Sequence, residues 1–177
     1  MPPRIPYQPA DLAEPAEVVD AIRRRRGGGL LELDRMLLHS APLAAGWNAM
    51  MGSVRDQFVV AKKLRELAMC TVAVLNDASY EFAAHAPIYR AEGGTQAQLD
   101  AIADDPDAAA GNTALFEPLE AATISLTIEM TRNVKVADAT FARIEALLGR
   151  RELVELIATV AAYNMVSRFL VATGITH

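Results

Sequence analysis

Cysteine is almost absent from this chain: Cys70 stands alone, so no internal disulfide forms, and a reducing compartment is the natural setting. Aromatic residues are scarce at 6%, and the 52% hydrophobic fraction is carried instead by Ala, Leu, Val, Ile and Met, a mixture that suits packed helices. A surplus of positive charge is also missing. The net charge is −5 and no basic stripe follows any predicted helix, which excludes the electrostatic footprint of a nucleic-acid binder. No uncharged apolar run approaches the ~18–20 residues of a membrane span. The opening stretch MPPRIPYQPADLAEP lacks the apolar segment of a secretion signal. A cytoplasmic chain with neither a nucleic-acid nor a membrane partner is expected. Sustained two-residue alternation is absent, so no strand is expected, and no repeat of 20–50 residues appears.

What is present is helical spacing. A length of 177 residues suits one domain with a real core. The proline-rich residues 1–14 read as an extended arm, because proline removes donors and fixes φ, and residues 15–177 read as a single all-helical domain. Helices are predicted over 15–26, 28–39 and from Ser40, as cap, to 51. The basic run Arg23–Arg26 before Gly27-Gly28-Gly29 reads as a helix end, cations suiting the dipole and glycine stopping the helix. From 59 to 75 the apolar positions Val60, Leu64, Leu67, Ala68, Thr71, Val72 and Leu75 follow one stripe, with Lys62, Lys63 and Arg65 away from it. Asn76 and Asp77 break that helix and are placed to cap the next, over 78–92, and Gly93-Gly94 closes the hairpin. Thr95 with Gln98 forms a capping box opening a helix to about 103, and residues 104–112 read as a loop. Helices over 117–132, 138–148 and 150–172 complete the chain. The last is apolar nearly all round, which places it centrally or at an interface. The apolar excess points to self-association.

The chemistry concentrates in NDASYEFAAH, residues 76–85. On a helix beginning near Ala78, positions 78, 81 and 85 share a face, which makes Glu81 and His85 neighbours. A carboxylate beside an imidazole is what a proton donor or acceptor near neutral pH requires. Tyr80 adds a phenol one residue away, and an antiparallel hairpin folds Glu66 of the preceding helix toward the same place. Each residue also has a structural reading: Glu81–His85 as a solvated i, i+4 pair, Glu66 as a surface ion-pair partner of its basic neighbours, Tyr80 as a core-edge aromatic, Cys70 as an inert buried thiol. Two further readings stay open, a divalent metal held by Glu66, Glu81 and His85, and an oligomeric binding protein without catalysis. His39 and His177 carry less information, His39 suiting a helix C-terminus.

RELAMCTVAVLNDASYEFAAHAPIYRAEGGTQAQLDAI, residues 65–102, resembles the core motif of the carboxymuconolactone decarboxylase family, which includes the alkylhydroperoxidase D branch. LLELDRMLLHSAPLAAGW before it and ELVELIATVAAYNMVSRFL after it resemble the flanking segments, so the likeness covers most of residues 28–172. It implies an all-α fold of packed helical hairpins assembling into dimers, trimers or hexamers. The peroxidase branch carries Cys-x-x-Cys followed by His, and those two cysteine places are Ala78 and Glu81 here. That removes the nucleophilic and resolving thiols a peroxide requires. The cysteine-free branch, with its Tyr-Glu-Trp-x-x-His motif, is matched by Tyr80-Glu81-Phe82-Ala83-Ala84-His85, Phe82 standing in the place of Trp. That likeness implies a cofactor-independent lyase acting on a small carboxylated lactone or related organic acid. His85 would donate the proton and Glu81 would orient it, with Tyr80 or Glu66 completing the relay. Tyr163, Asn164 and Arg168 match a polar cluster of the same family, read as structural hydrogen bonding, with Arg168 also suited to a substrate carboxylate.

Overall fold

A computed structural model describes residues 2–175 of the chain, and His177 lies outside them. The backbone divides into two compact units, one made of the chain up to residue 58 together with the chain from 172 onward, the other of residues 59–171. Among the described residues all regular structure is helical and there is no strand.

In the first unit, residues 2–15 form no helix. They are nonetheless anchored. Arg35 Nε donates to Gln8 O at 2.6 Å, and its guanidinium lies 5.1 Å from the centre of the Tyr7 ring. His39 Nε2 donates to Pro6 O at 2.7 Å, which leaves Nδ1 to accept from the Gln8 amide at 3.1 Å. Helix α1 spans Ala16–Arg26 and stops at Gly27, whose φ of 81° suits glycine. Its basic run does more than complement the dipole. Arg26 grips buried Asp34 through two hydrogen bonds of 2.9 and 3.0 Å, and Arg25 is bonded to Asn48.

Helix α2 covers only Glu32–Leu37, shorter than the predicted 28–39, because Leu31 is extended and its amide donates to Asp34 Oδ2 at 3.0 Å. Helix α3, Ala41–Asp56, runs past the expected end at 51, since Met51 and Val54 continue its buried face. Ser40 sits at its N-cap position, but no side-chain cap bond forms there.

The second unit holds α4 (Lys62–Leu75), α5 (Ser79–Ala91), α6 (Gln96–Asp104), α7 (Pro106–Gly111), α8 (Pro118–Asn133), α9 (Asp138–Glu145) and most of α10 (Arg150–Thr173). Helix α4 is its axis and packs against α5, α6 and α8. Every residue from Leu64 to Ala73 is buried. The one-sided stripe expected for α4 is therefore corrected: Arg65 is buried too, because neighbours surround the helix. Leu67, Cys70, Tyr89, Leu99, Ile102 and Ile124 belong to one apolar core.

The Thr95 box forms as expected, Thr95 Oγ1 accepting from Gln98 N at 3.1 Å and Gln98 Oε1 from Thr95 N at 3.0 Å. The expected loop over 104–112 is instead α7. Asp105 Oδ1 accepts from the amides of Asp107 and Ala108 at 2.9 and 3.2 Å, and Pro106 takes the first turn, where its missing N–H costs nothing.

Helix α10 is long and apolar enough to cross a membrane by length and composition alone. Its polar side chains are engaged with its own chain: Glu155 accepts from the amides of Val59 and Val60 at 2.6 and 3.0 Å, and Asn164 donates to Thr131 Oγ1 at 2.9 Å.

Candidate acid–base site

The α4–α5 hairpin builds the site. Asn76 ends α4, and its side-chain amide donates to Asn164 Oδ1 at 3.1 Å and Ser167 Oγ at 2.7 Å on α10. Asp77 then adopts φ 58°, a left-handed conformation that Asp tolerates better than most residues. Ala78, not Asn76 or Asp77, occupies the N-cap position of α5, and no side chain caps that end. The reversal is tight, with Ala78 N donating to Ala73 O at 2.8 Å.

From that turn the two helices run antiparallel, and helical phase places Glu66, Cys70 and Ala73 on one face of α4 and His85, Glu81 and Ala78 on one face of α5. A step of three or four residues along α4 is matched by an equal step back along α5, giving three rungs. The innermost is Glu66 with His85, where Nδ1 and Oε2 lie 2.7 Å apart. The middle one is Cys70 with Glu81. The outermost is Ala73 with Ala78, beside the turn.

All four ionisable groups of these rungs are shielded, with relative exposures of 4% for Glu66, 6% for His85, 2% for Glu81 and 0% for Cys70. Burial pushes the Cys70 thiol well above its ordinary value, and the charges of Glu66 and then Glu81 push it further, so that sulfur keeps its proton. The edge-to-face ring of Tyr163, from α10, packs on His85 with centroids 4.9 Å apart and planes at 86°, a contact worth about 0.5–1.5 kcal/mol.

The expected residues are thus placed unevenly. Glu66, Glu81 and His85 share one buried seam. The carboxylate bonded to His85 Nδ1 is Glu66 from the facing helix, while Glu81 occupies the next rung beside Cys70. Glu66 is no surface partner of its basic neighbours: Lys62 pairs with Glu92 at 2.8 Å and Lys63 with Glu120 at 2.6 Å. Tyr80 is buried but turned about 100° from Glu81 around α5. Among the described residues no group of three or more His, Cys, Asp or Glu is arranged to hold a metal ion, so Glu66, Glu81 and His85 are not drawn into a coordination geometry. Arg168 is spoken for, its Nη1 donating to Asn164 O at 3.0 Å and bonding Asn164 Oδ1, its Nη2 reaching Thr131 O at 3.5 Å. Tyr163 is the residue whose contact with the site the sequence did not reveal.

A cavity of about 280 Å³ opens at the outermost rung, lined by Ala73, Val74, Ala78, Phe82 and Ala103, with Asp77 and Ser79 also on its wall.

Residues 32–123, a span that contains the whole hairpin, match the model of the carboxymuconolactone decarboxylase family. The chain belongs to the carboxymuconolactone decarboxylase family. Two solved structures share its fold over 99% of its length: a peroxidase-related protein from Silicibacter sp. TM1040, with a TM-score of 0.79, 15% identity and 91% of its own chain covered, and a peroxidase-related protein with an alkylhydroperoxidase AhpD core from Ralstonia eutropha JMP134, with a TM-score of 0.80, 17% identity and 93% covered. A protein of unknown function from Agrobacterium tumefaciens, named for AhpD-type antioxidant defence, covers 80% of this chain at a TM-score of 0.69 and 14% identity, with 94% of its own chain matched. No curated protein matches the sequence. At these identities the likeness establishes the all-α fold. In this chain the Glu66–His85 bond joins α4 to α5 in the middle of the matched region, and the cavity sits at the hairpin turn.

Proposed function

We propose that this carboxymuconolactone decarboxylase family member catalyses general acid–base proton transfer on a small organic substrate. The single observation that carries the reading is the buried 2.7 Å bond between Glu66 and His85. With Glu66 ionised, its carboxylate accepts from Nδ1–H and fixes the imidazole tautomer, so proton exchange with a substrate runs through Nε2. Tyr163 holds the ring from its edge, and Glu81 supplies a second carboxylate one rung away.

The chemistry has two forms. In a decarboxylation, the C–CO₂ bond breaks, its electron pair enters a conjugated enolate, and His85, which must already carry a proton on Nε2, donates that proton to carbon. In an isomerisation, the same imidazole removes a proton from carbon and gives it back one position along. The second form has an observation in its favour: Arg168, the cation expected to receive a substrate carboxylate, is committed to Asn164 and Thr131. A thiol-peroxidase role is disfavoured, since Cys70 is fully buried and holds its proton.

The test is a screen of carboxylated lactones, uncharged lactones and keto acids against the wild type and His85→Ala, with a peroxide assay using a dithiol reductant alongside. The histidine variant is expected to lose about 10²–10⁴ in kcat on whichever substrate turns over. Undiminished turnover by His85→Ala, or peroxide reduction by the wild type, overturns the proposal. Self-association belongs to the same proposal, with Val154, Met165 and Val171 exposed on α10 as its apolar surface, and sedimentation velocity of the wild type against Met165→Glu tests it.

A further inference from the structure

The cavity at the Ala73–Ala78 rung has a chemistry of its own. Its body is apolar, formed by Ala73, Val74, Ala78, Phe82 and Ala103, and its polar side chains are Asp77 and Ser79, both exposed. No Lys or Arg lines it. Its volume of about 280 Å³ lies just below the span of ligand pockets, about 300–1,000 Å³. It continues the face that carries the ionisable groups: Glu81 lies three residues beyond Ala78, about 4.5 Å further along α5, and His85 one more turn inward.

We propose that this cavity is a binding site for a small uncharged organic molecule with an apolar body. A carboxylate entering here meets Asp77 at the mouth and finds no cation on the lining to offset the loss of its water. An ammonium gains only an exposed carboxylate, a surface pair worth under about 1 kcal/mol, and it loses its own hydration against alanine, valine and phenylalanine walls. An uncharged molecule incurs neither cost. The binding proposal stands on this lining and is independent of the proton-transfer reading above.

Benzyl alcohol, benzoate and benzylamine share a ring and differ in charge, so they serve as probes in an NMR titration of the full chain labelled with ¹⁵N. Benzyl alcohol is expected to shift the amides of Ser79, Phe82 and Ala103, and benzoate to bind about tenfold more weakly or not at all. Ala103→Trp, a change at an exposed position, fills the mouth and is expected to abolish the benzyl alcohol shifts while the circular dichroism melting curve stays in place. Asp77→Asn, which the left-handed turn accepts, is expected to improve benzoate binding about two- to fivefold, as removal of one exposed like charge predicts.

Equal or tighter binding of benzoate or benzylamine overturns the assignment of charge. Shifts that map elsewhere, or that survive Ala103→Trp, overturn the pocket. His85→Ala leaves these shifts intact if the pocket stands, so a failure of binding is distinguishable from a failure of catalysis.

Discussion

Gly94→Ala is the sharpest test of how the hairpin is held. A Cβ built on Gly94 meets three atoms of the Tyr89 ring at 2.2, 2.4 and 2.5 Å, far inside van der Waals contact. The ring is fully buried and has nowhere to go. Its hydroxyl donates to Gln98 Oε1 at 2.8 Å, and Gln98 Nε2 in turn donates to Leu115 O at 2.7 Å and Glu120 Oε2 at 3.2 Å. Overpacking of this kind costs about 1–3 kcal/mol, and displacing the ring leaves buried polar groups unsatisfied, adding about 1–3 kcal/mol. The expected loss is about 4 kcal/mol, or a fall of about 8–16 °C in Tm for a chain of this size. Urea unfolding with an unchanged m-value measures it. Backbone strain is not the cause, because the left-handed residue of the pair is Gly93, at φ 91°. A double-mutant cycle with Tyr89→Leu separates the clash from any other cost: in that background Gly94→Ala is expected to be far milder. A loss under about 1 kcal/mol in the wild-type background, or an equal loss in both, refutes the steric argument.

Three further outcomes follow from the same geometry. His85→Ala strips the partner from a buried carboxylate and is expected to cost about 3–5 kcal/mol in urea unfolding, whereas Glu66→Gln, which keeps the shape, is expected to cost less; the reverse order would contradict the pairing. Burial works to raise the Glu155 pKa, but the Val60 amide, Arg151 and the Val59 amide outweigh it and hold the carboxyl below its ordinary value of 4.5. Its stabilisation is therefore complete above that value and lost as pH falls through the lower folded one, so the deficit of Glu155→Gln, about 1–2 kcal/mol near neutrality, should shrink at about pH 3; a deficit equal at both pH values counts against it. Cys70 is expected to ignore a thiol-specific disulfide reagent in the native protein and to react on denaturation, and prompt stoichiometric labelling of the native chain would show that the seam is open.

The parts of this fold legible in the sequence are those governed by local rules. The Thr95–Gln98 box, the glycine stops and the proximity of Glu81 and His85 all depend on residues within one helical turn of each other. Helix α7 is missed and reads as a loop in the sequence: its six residues are too short to show an apolar period, although Asp105-Pro106 is a cap followed by a first-turn proline. The burial of Arg65 was hidden because a stripe count assumes one solvated face, and α4 has none. The rungs were only half visible: an antiparallel hairpin brings Glu66 back toward the site, yet which residue it meets depends on the φ of Asp77 and the tightness of the turn. Tyr163 lies 78 positions beyond His85, and no spacing rule reaches that far; only packing of α10 brings the two rings together.

The reversal at Asn76-Asp77 works as a gauge of length. One residue added there would swing every side chain of α5 by about 100° and slide it about 1.5 Å relative to α4, moving the imidazole off its acid and closing the alanine mouth at one stroke. The pairing across this hairpin therefore depends on the count of residues between positions 66 and 85 as much as on their identity.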